Sequence, residues 1–254
     1  MGRLCPRFAC LLLLMIVLAL PTAGEETLSA DAILDRVNAV VTAPRDQTLH
    51  LRLVLLDAAG KEEDRRALIV WQKGKDYRMG KFLEPASQRG IGFLSLPDDV
   101  FYVYMPAYKK TQRIASRQKS GRFAGTDFSY EDLGVQYYTD EWSARILETG
   151  PQDYLLELEA VEGNSSGYAR LRLRIDRQRF YPTGVEFYDE KGALAKTLTS
   201  RQIEEINGYL VAREMEMVDL KRNHRTVMVI EKVEFDTGLN DSFFSERYLS
   251  RSEG

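Results

Sequence analysis

Hydrophobic positions recur along this chain at two different periods. After Ser29, a candidate helix N-cap, Ile33, Leu34, Val37, Val40 and Val41 fall at three- and four-residue spacing. That spacing predicts one amphipathic helix, ending near Ala43-Pro44. From there the period becomes two. In TLHLRLVLL, Leu49, Leu51, Leu53 and Leu55 share one strand face, Ala59-Gly60-Lys61 turns the chain, and RALIVWQK returns. Further strand-like runs follow at Tyr77–Leu83, Gly90–Leu96, Val100–Met105, Thr111–Ala115, Trp142–Glu148, Tyr154–Val161, Ala169–Asp176, Gly184–Tyr188, Leu194–Leu198, Tyr209–Leu220 and Thr226–Phe235. Many short strands separated by turn signals predict an antiparallel sheet or barrel.

Two hairpins can be registered from the pattern. About the turn Gly163–Gly167, Leu156 and Leu158 should face Leu173 and Leu171, while Glu157 opposes Arg172 and Glu159 opposes Arg170. Facing opposite charges contribute about 0.2–1 kcal/mol per pair. In the last two strands, Met215 and Met217 are expected to meet Val229 and Val227. Such a sheet has one apolar face, which must curl on itself, close on a helix, or close on a ligand. The N-terminal helix and short helical pieces near residues 126–133 and 240–249 are little cover for so much sheet. The leading architecture is therefore mainly β: an incomplete, half-open antiparallel barrel of about ten to twelve strands, with an N-terminal helix and short covering helices. An outer-membrane barrel fits poorly, because strands such as Ala169–Asp176 carry Arg170, Arg172 and Arg174 on one face.

The N-terminus follows a different logic. Arg3 and Arg7 precede the unbroken apolar run Phe8–Leu20, then Pro21 and the small residues Thr22-Ala23-Gly24. The run is shorter than the roughly 20 residues that span a bilayer, so residues 1–24 read as a cleaved secretory signal, an uncleaved anchor being the alternative. Residues 25–254 then form a single domain. Cys5 and Cys10 leave with the signal, and an exported chain without cysteine suits a bacterial periplasm. Without Arg3 and Arg7 the chain keeps 33 basic against 38 acidic residues, a net charge of about −5, which argues against nucleic acid.

Several patterns imitate catalytic motifs. Gly163-Asn164-Ser165-Ser166-Gly167 matches the G-x-S-x-G elbow but lies between two strands rather than strand and helix. Gly90-Ile91-Gly92 begins like a dinucleotide loop but lacks a third glycine and a following helix; close backbone packing is the simpler reading. Two histidines, His50 and His224, without cysteine make zinc improbable. The stretch RFAGTDFSYEDL, residues 122–133, fails as a calcium loop because Asp132 stands where glycine is required. It reads best as a short helix with Asp127 near its N-terminus, Phe128 and Leu133 plugging an opening between strands, and Asp127, Phe128 and Tyr130 forming a cover. No catalytic residue, cofactor or metal is expected. The acid-free run Lys109, Lys110, Arg113, Arg117, Lys119, Arg122 is a solvated edge, or else meets lipid headgroups or an acidic partner.

Phe82-Leu83-x-Pro85, Gly90-x-Gly92, the aromatic strand ending at Pro106, Lys109-Lys110-x-x-Arg113-Ile114 and Gly125-x-Asp127-Phe128-Ser129-Tyr130-Glu131-Asp132 together resemble the outer-membrane lipoprotein-sorting (LolA-like) family, in the branch associated with RND/MMPL-type permeases. The resemblance is most specific over residues 82–133. It implies a helix-capped, half-open barrel that holds acyl chains of a lipid or lipoprotein, carried across the periplasm without enzymatic chemistry. An RND/MMPL-type inner-membrane permease and transient membrane contact are its implied partners; a sensor or adaptor of the same fold is the alternative. Candidates for lining the cavity are Leu51, Leu53, Trp71, Phe82, Phe93, Tyr102, Tyr104, Met215 and Met217, each equally suited to a packed core. Lys109, Lys110 and Arg113 are the headgroup or partner candidates.

Overall fold

The computed structural model describes residues 28–115, 118–133, 137–138, 141–164 and 166–251. The expected signal at 1–24, Arg117 and Ser165 lie outside these residues. Helix α1 (Ala30–Val41) starts where Ser29 Oγ accepts the Ala32 N–H at 3.1 Å. It buries Ile33, Leu34 and Val37 against the sheet. No helix among the described residues is long and apolar enough to cross a membrane.

The sheet has thirteen strands among the described residues, one more than twelve, because every one of the thirteen period-two runs pairs with a neighbour, the short one at 110–113 included. In chain order they are β1 (Asp46–Leu56), β2 (Glu62–Lys73), β3 (Tyr77–Glu84), β4 (Gly92–Leu96), β5 (Val100–Met105) and β6 (Lys110–Arg113). After the mid-chain segment come β7 (Trp142–Thr149), β8 (Asp153–Ala160), β9 (Tyr168–Asp176), β10 (Pro182–Asp189), β11 (Leu194–Ile206), β12 (Tyr209–Asp219) and β13 (His224–Phe235). Every pairing is antiparallel, in the order β6-β5-β4-β3-β2-β1-β13-β12-β11-β10-β9-β8-β7. β6 and β7 are free edges, so the barrel is open. A short α2 (Glu246–Leu249) ends the chain.

Alternation places Leu49, Leu51, Leu53 and Leu55 of β1 in the core with α1, joined by Leu156, Leu158, Leu171 and Leu173 from the far half of the sheet. The β8–β9 register is as expected, with Leu156 opposite Leu173, Leu158 opposite Leu171 and Glu157 opposite Arg172. The polar face there is not simply wet: Glu157 is fully buried beneath Arg145, Arg170 and Arg172.

The β12–β13 register differs from expectation by one residue. Met215 pairs with Met228 and Met217 with Thr226, which leaves Val227 and Val229 on the other face with Glu214 and Glu216. The turn decides this. Asp219 Oδ1 accepts the N–H groups of Lys221 and Arg222 at 3.0 and 3.1 Å, and Asn223 takes a positive φ of 52°. That fixes Asp219 opposite His224, and a one-residue slip moves every side chain to the opposite face.

The sheet is covered on both faces. The C-terminal segment, Leu239 to Leu249, packs a second core onto the face opposite α1, around Met79, Leu94, Phe244 and Leu249. Gly92 permits this approach: a Cβ there would lie 2.9 Å from Leu249 Cδ1 and 2.7 Å from the Gly80 carbonyl oxygen.

Candidate functional site

Two small chambers remain inside the barrel, each of about 120 Å³. Val41 of α1, Gln72, Arg78, Tyr181 and Met215 form walls of both. One reaches Phe128 and Leu133 of the mid-chain segment, and the other lies under Pro44 and the end of α1. The shared wall is mixed: Val41 and Met215 are apolar, and Gln72, the Tyr181 phenol and Arg78 are polar. Burial pushes the Arg78 guanidinium down to about 10, so it keeps its charge at neutral pH. A cation on the inward parity of an apolar strand shows in YRMGKF as a break in the pattern.

The described mid-chain residues 118–133 lie across the sheet, touching β3–β5 on one side and β9, β11 and β13 on the other. No helix forms at Asp127. Ala124 and Gly125 adopt positive φ values of 49° and 81°, and the chain folds back so that the Phe123 N–H meets the Phe128 carbonyl at 2.9 Å. Only Glu131–Leu133 forms a single 3₁₀ turn. Phe123 stacks on Phe82 with ring centroids 5.3 Å apart, and Tyr130 meets Phe101 edge-on.

Three carboxylates fasten this cover to three parts of the sheet. Asp127, fully buried, accepts from Arg222 Nη1 at 2.7 Å and Thr226 Oγ1 at 2.7 Å, and lies 2.6 Å from His224 Nδ1. These partners, rather than helix N–H groups, hold Asp127. Contacts to charged partners in a buried site outweigh the few tenths to about 1 kcal/mol of a helix terminus. Glu131 accepts from Ser166 Oγ and, at 3.0 Å, from the Gly167 N–H of the β8–β9 turn. Burial pushes its carboxyl up, against those hydrogen bonds. Asp132 accepts from the Tyr168 hydroxyl at 3.0 Å and from Lys196 Nζ at 3.0 Å. On the opposite side Arg66 Nη1 donates to the Ala124 carbonyl at 2.5 Å. Further along, Tyr138 exchanges two backbone hydrogen bonds with the Asn38 amide of α1, at 2.6 and 3.0 Å. Helix and cover are thus tied together.

The expected lining residues divide between three environments. Leu51, Leu53, Phe93 and Met217 sit fully buried in the main core, and Met215 walls both chambers. Trp71, Tyr102 and Tyr104 lie on the opposite face in the second core, Trp71 edge-on to Phe243 at 5.2 Å. Phe82 and Tyr104 also border a separate outer groove of about 500 Å³, for which the period-two pattern carries no signal. Asp127, Phe128 and Tyr130 all belong to the cover. Lys109, Lys110 and Arg113 are exposed along the β6 edge, whereas Lys119 of the same run is buried, its ammonium on the Asp99 carboxylate and carbonyl. Ser165, the serine of the G-x-S-x-G pattern, lies outside the described residues; its neighbour Ser166 hydrogen-bonds Glu131, and His224 lies against Asp127.

Thirteen antiparallel strands in an open barrel, with a mid-chain cover across its inner face, define a half-open β-barrel class of fold. A family model described as "uncharacterized protein" matches residues 74–251. A crystal structure of an outer membrane lipoprotein-sorting protein domain from Vibrio parahaemolyticus is similar at 27% identity and a TM-score of 0.78, covering 88% of this chain and 98% of that one. A DUF1329 family protein from Desulfovibrio piger shares the fold at 24% identity and a TM-score of 0.79, over 88% and 100% of the two chains. So does a LolA superfamily protein from Nitrosomonas europaea, at 23% and 0.73, over 87% and 100%. No curated protein matches the chain. The chain belongs to the family of that model, and its fold is the one seen in the outer-membrane lipoprotein-sorting domain and its LolA-like relatives.

Proposed function

We propose that this protein is a periplasmic carrier which takes acyl chains of a lipid or lipoprotein into the barrel and transfers them between membranes, working beside an RND/MMPL-type export permease after loss of residues 1–24. The observation that carries this reading is the pair of adjoining chambers, one of them beneath a cover fastened to the sheet largely by side chains. Similarity to the lipoprotein-sorting domain supports it. Each buried methylene contributes about 0.8 kcal/mol, so a partly inserted chain already binds usefully. Met215 can repack around cargo of different shape, and Arg78 with Gln72 offers a polar spot for an ester or carboxylate oxygen.

Chambers of this size match a single small ring more than an acyl chain, since a cavity near 150 Å³ holds about one benzene. Taking up an acyl chain therefore requires the cover and α1, joined through Tyr138 and Asn38, to move away from the sheet. The same small chambers favour a second reading, a sensor or adaptor that uses this fold to bind a protein partner.

Native mass spectrometry on protein exported to a bacterial periplasm and purified without detergent separates the two. Extra mass that solvent extraction removes, of lipid or lipopeptide composition, supports the carrier. A bare protein that also ignores fluorescent fatty-acid probes overturns it in favour of the adaptor.

A further inference from the structure

The outer groove and the β5–β6 turn beside it form a basic, partly apolar corner on an otherwise acidic protein. The groove has Phe82, Leu83, Tyr104 and Pro106 as apolar wall, and Arg89, Arg251 and Lys81 against the single carboxylate of Glu84. Lys81 is buried at its base, with Nζ donating to the carbonyls of Tyr248 and Arg251 at 2.7 and 3.0 Å. Pro106 opens the tight turn Pro106–Tyr108, and the turn leaves Tyr108 76% exposed and Met105 36% exposed. Lys109 closes that turn in the left-handed conformation, and Lys110 and Arg113 follow on the edge strand β6. Arg113 pairs with Tyr102 and Thr111 with Tyr104, which puts Arg113 on the groove's face of the sheet. Arg89, Lys109, Lys110 and Arg113 are exposed and have no acidic partner among the described residues.

We infer that this corner docks the protein onto a bilayer rich in anionic phospholipid, with Tyr108 and Met105 entering the headgroup layer and the cations meeting phosphate. Charge complementarity selects the surface. The exported chain, of net charge about −5 without residues 1–24, presents a basic corner here to an anionic membrane, so attraction and orientation arise together. The exposed Tyr and Met select lipid over an acidic peptide, because an aromatic ring with a polar tip favours the interface and gains nothing from a purely acidic partner. The docking deepens the carrier reading by naming the membrane contact. Its test reads surface binding rather than cargo uptake, so either can fail alone.

The experiment is flotation of the full exported chain with phosphatidylcholine vesicles, with and without phosphatidylglycerol, at low and high salt. Binding only to the phosphatidylglycerol vesicles, weakened by salt, is expected. Each cation near a charged membrane is worth about fivefold in partitioning, so Lys109→Glu/Lys110→Glu should lose about 25-fold or more. Tyr108→Ser should weaken binding at unchanged salt dependence. Lys61→Glu/Lys191→Glu, the same charge change at two exposed turns elsewhere, should leave the contrast between vesicles intact. Equal losses in the two double variants, or no preference for anionic vesicles, would overturn the assignment. So would soluble polyglutamate displacing the protein as well as vesicles do, which would mark an acidic protein partner instead.

Discussion

His224 Nδ1 lies 2.6 Å from Asp127 Oδ2, while its Nε2 lies 3.4 Å from Glu63 Oε2 of β2. One imidazole thus spans a carboxylate of the cover and a carboxylate of the sheet, with Arg222 completing the charge balance at Asp127. Removing one member of a buried charged group costs about 3–5 kcal/mol because the others keep their desolvation cost. Arg222 is partly solvated, so Asp127→Asn is expected near the low end, about 3 kcal/mol. Chemical denaturation should show a lower midpoint, and hydrogen exchange should accelerate across residues 121–133. Unchanged exchange there would mean that Asp127 does not fasten the cover.

Glu131 should act in the opposite direction. Burial pushes its carboxyl above the ordinary glutamate range, opposed by the hydrogen bonds from Ser166 and Gly167. Between the unfolded and folded values the folded protein binds more protons, so stability falls as pH rises through that window. Glu131→Gln removes the slope. The variant is expected to equal or exceed the parent in thermal midpoint at neutral pH, and to lose the advantage below the ordinary glutamate value. A neutral-pH loss above about 1 kcal/mol, the net worth of a hydrogen bond, would contradict this.

Asp46 has the reverse sign. Burial alone would raise its carboxyl, but Thr237 Oγ1 and the N–H groups of Thr237, Gly238 and Leu239 outweigh that and hold it below the usual range. Its contribution is present above the ordinary aspartate value and lost as pH falls through the lowered folded value. Asp46→Asn should cost about 1–3 kcal/mol at neutral pH and show a shallower acid-unfolding curve. A variant that unfolds in acid just as steeply as the parent would assign the acid sensitivity elsewhere.

Gly80 lies under the Phe93 ring, and a Cβ there would come 2.4 Å from Phe93 Cε1. Gly80→Ala should destabilise by about 1–3 kcal/mol through overpacking. Combined with Phe93→Leu, the two losses should be less than additive. Full additivity in a double-mutant cycle would show that the backbone, not the ring, sets the cost.

The fold was legible where a local pattern and a turn agreed. β8 and β9 carry leucines on one face and opposed charges on the other, so a single register satisfies both. β12 and β13 read less clearly because both faces of β13 are apolar, with Val227 and Val229 on one and Met228 and Ile230 on the other; the deciding Asp219 turn is a side-chain effect. The division of Trp71, Tyr102 and Tyr104 from the inner chambers was hidden for a related reason. Period two says which residues share a face but not which face the C-terminal segment will cover. The cover itself was visible as an unusual mixture of acids and aromatics. Its fastening was not, since Asp127 and Arg222 are 95 residues apart in sequence.

The strand order holds one more consequence. β1 and β13, near the two ends of the described chain, pair at the centre of the sheet, and the middle of the chain supplies both outer edges. The molecule is therefore built like an open book whose spine is made of its first and last pages. A single cut in the cover would yield two fragments, each a contiguous block of strands, still hydrogen-bonded along the spine from Gln47 opposite Phe235 to Leu56 opposite Arg225. Separately expressed halves should reassemble without a covalent link, with only the fore-edge left unclasped.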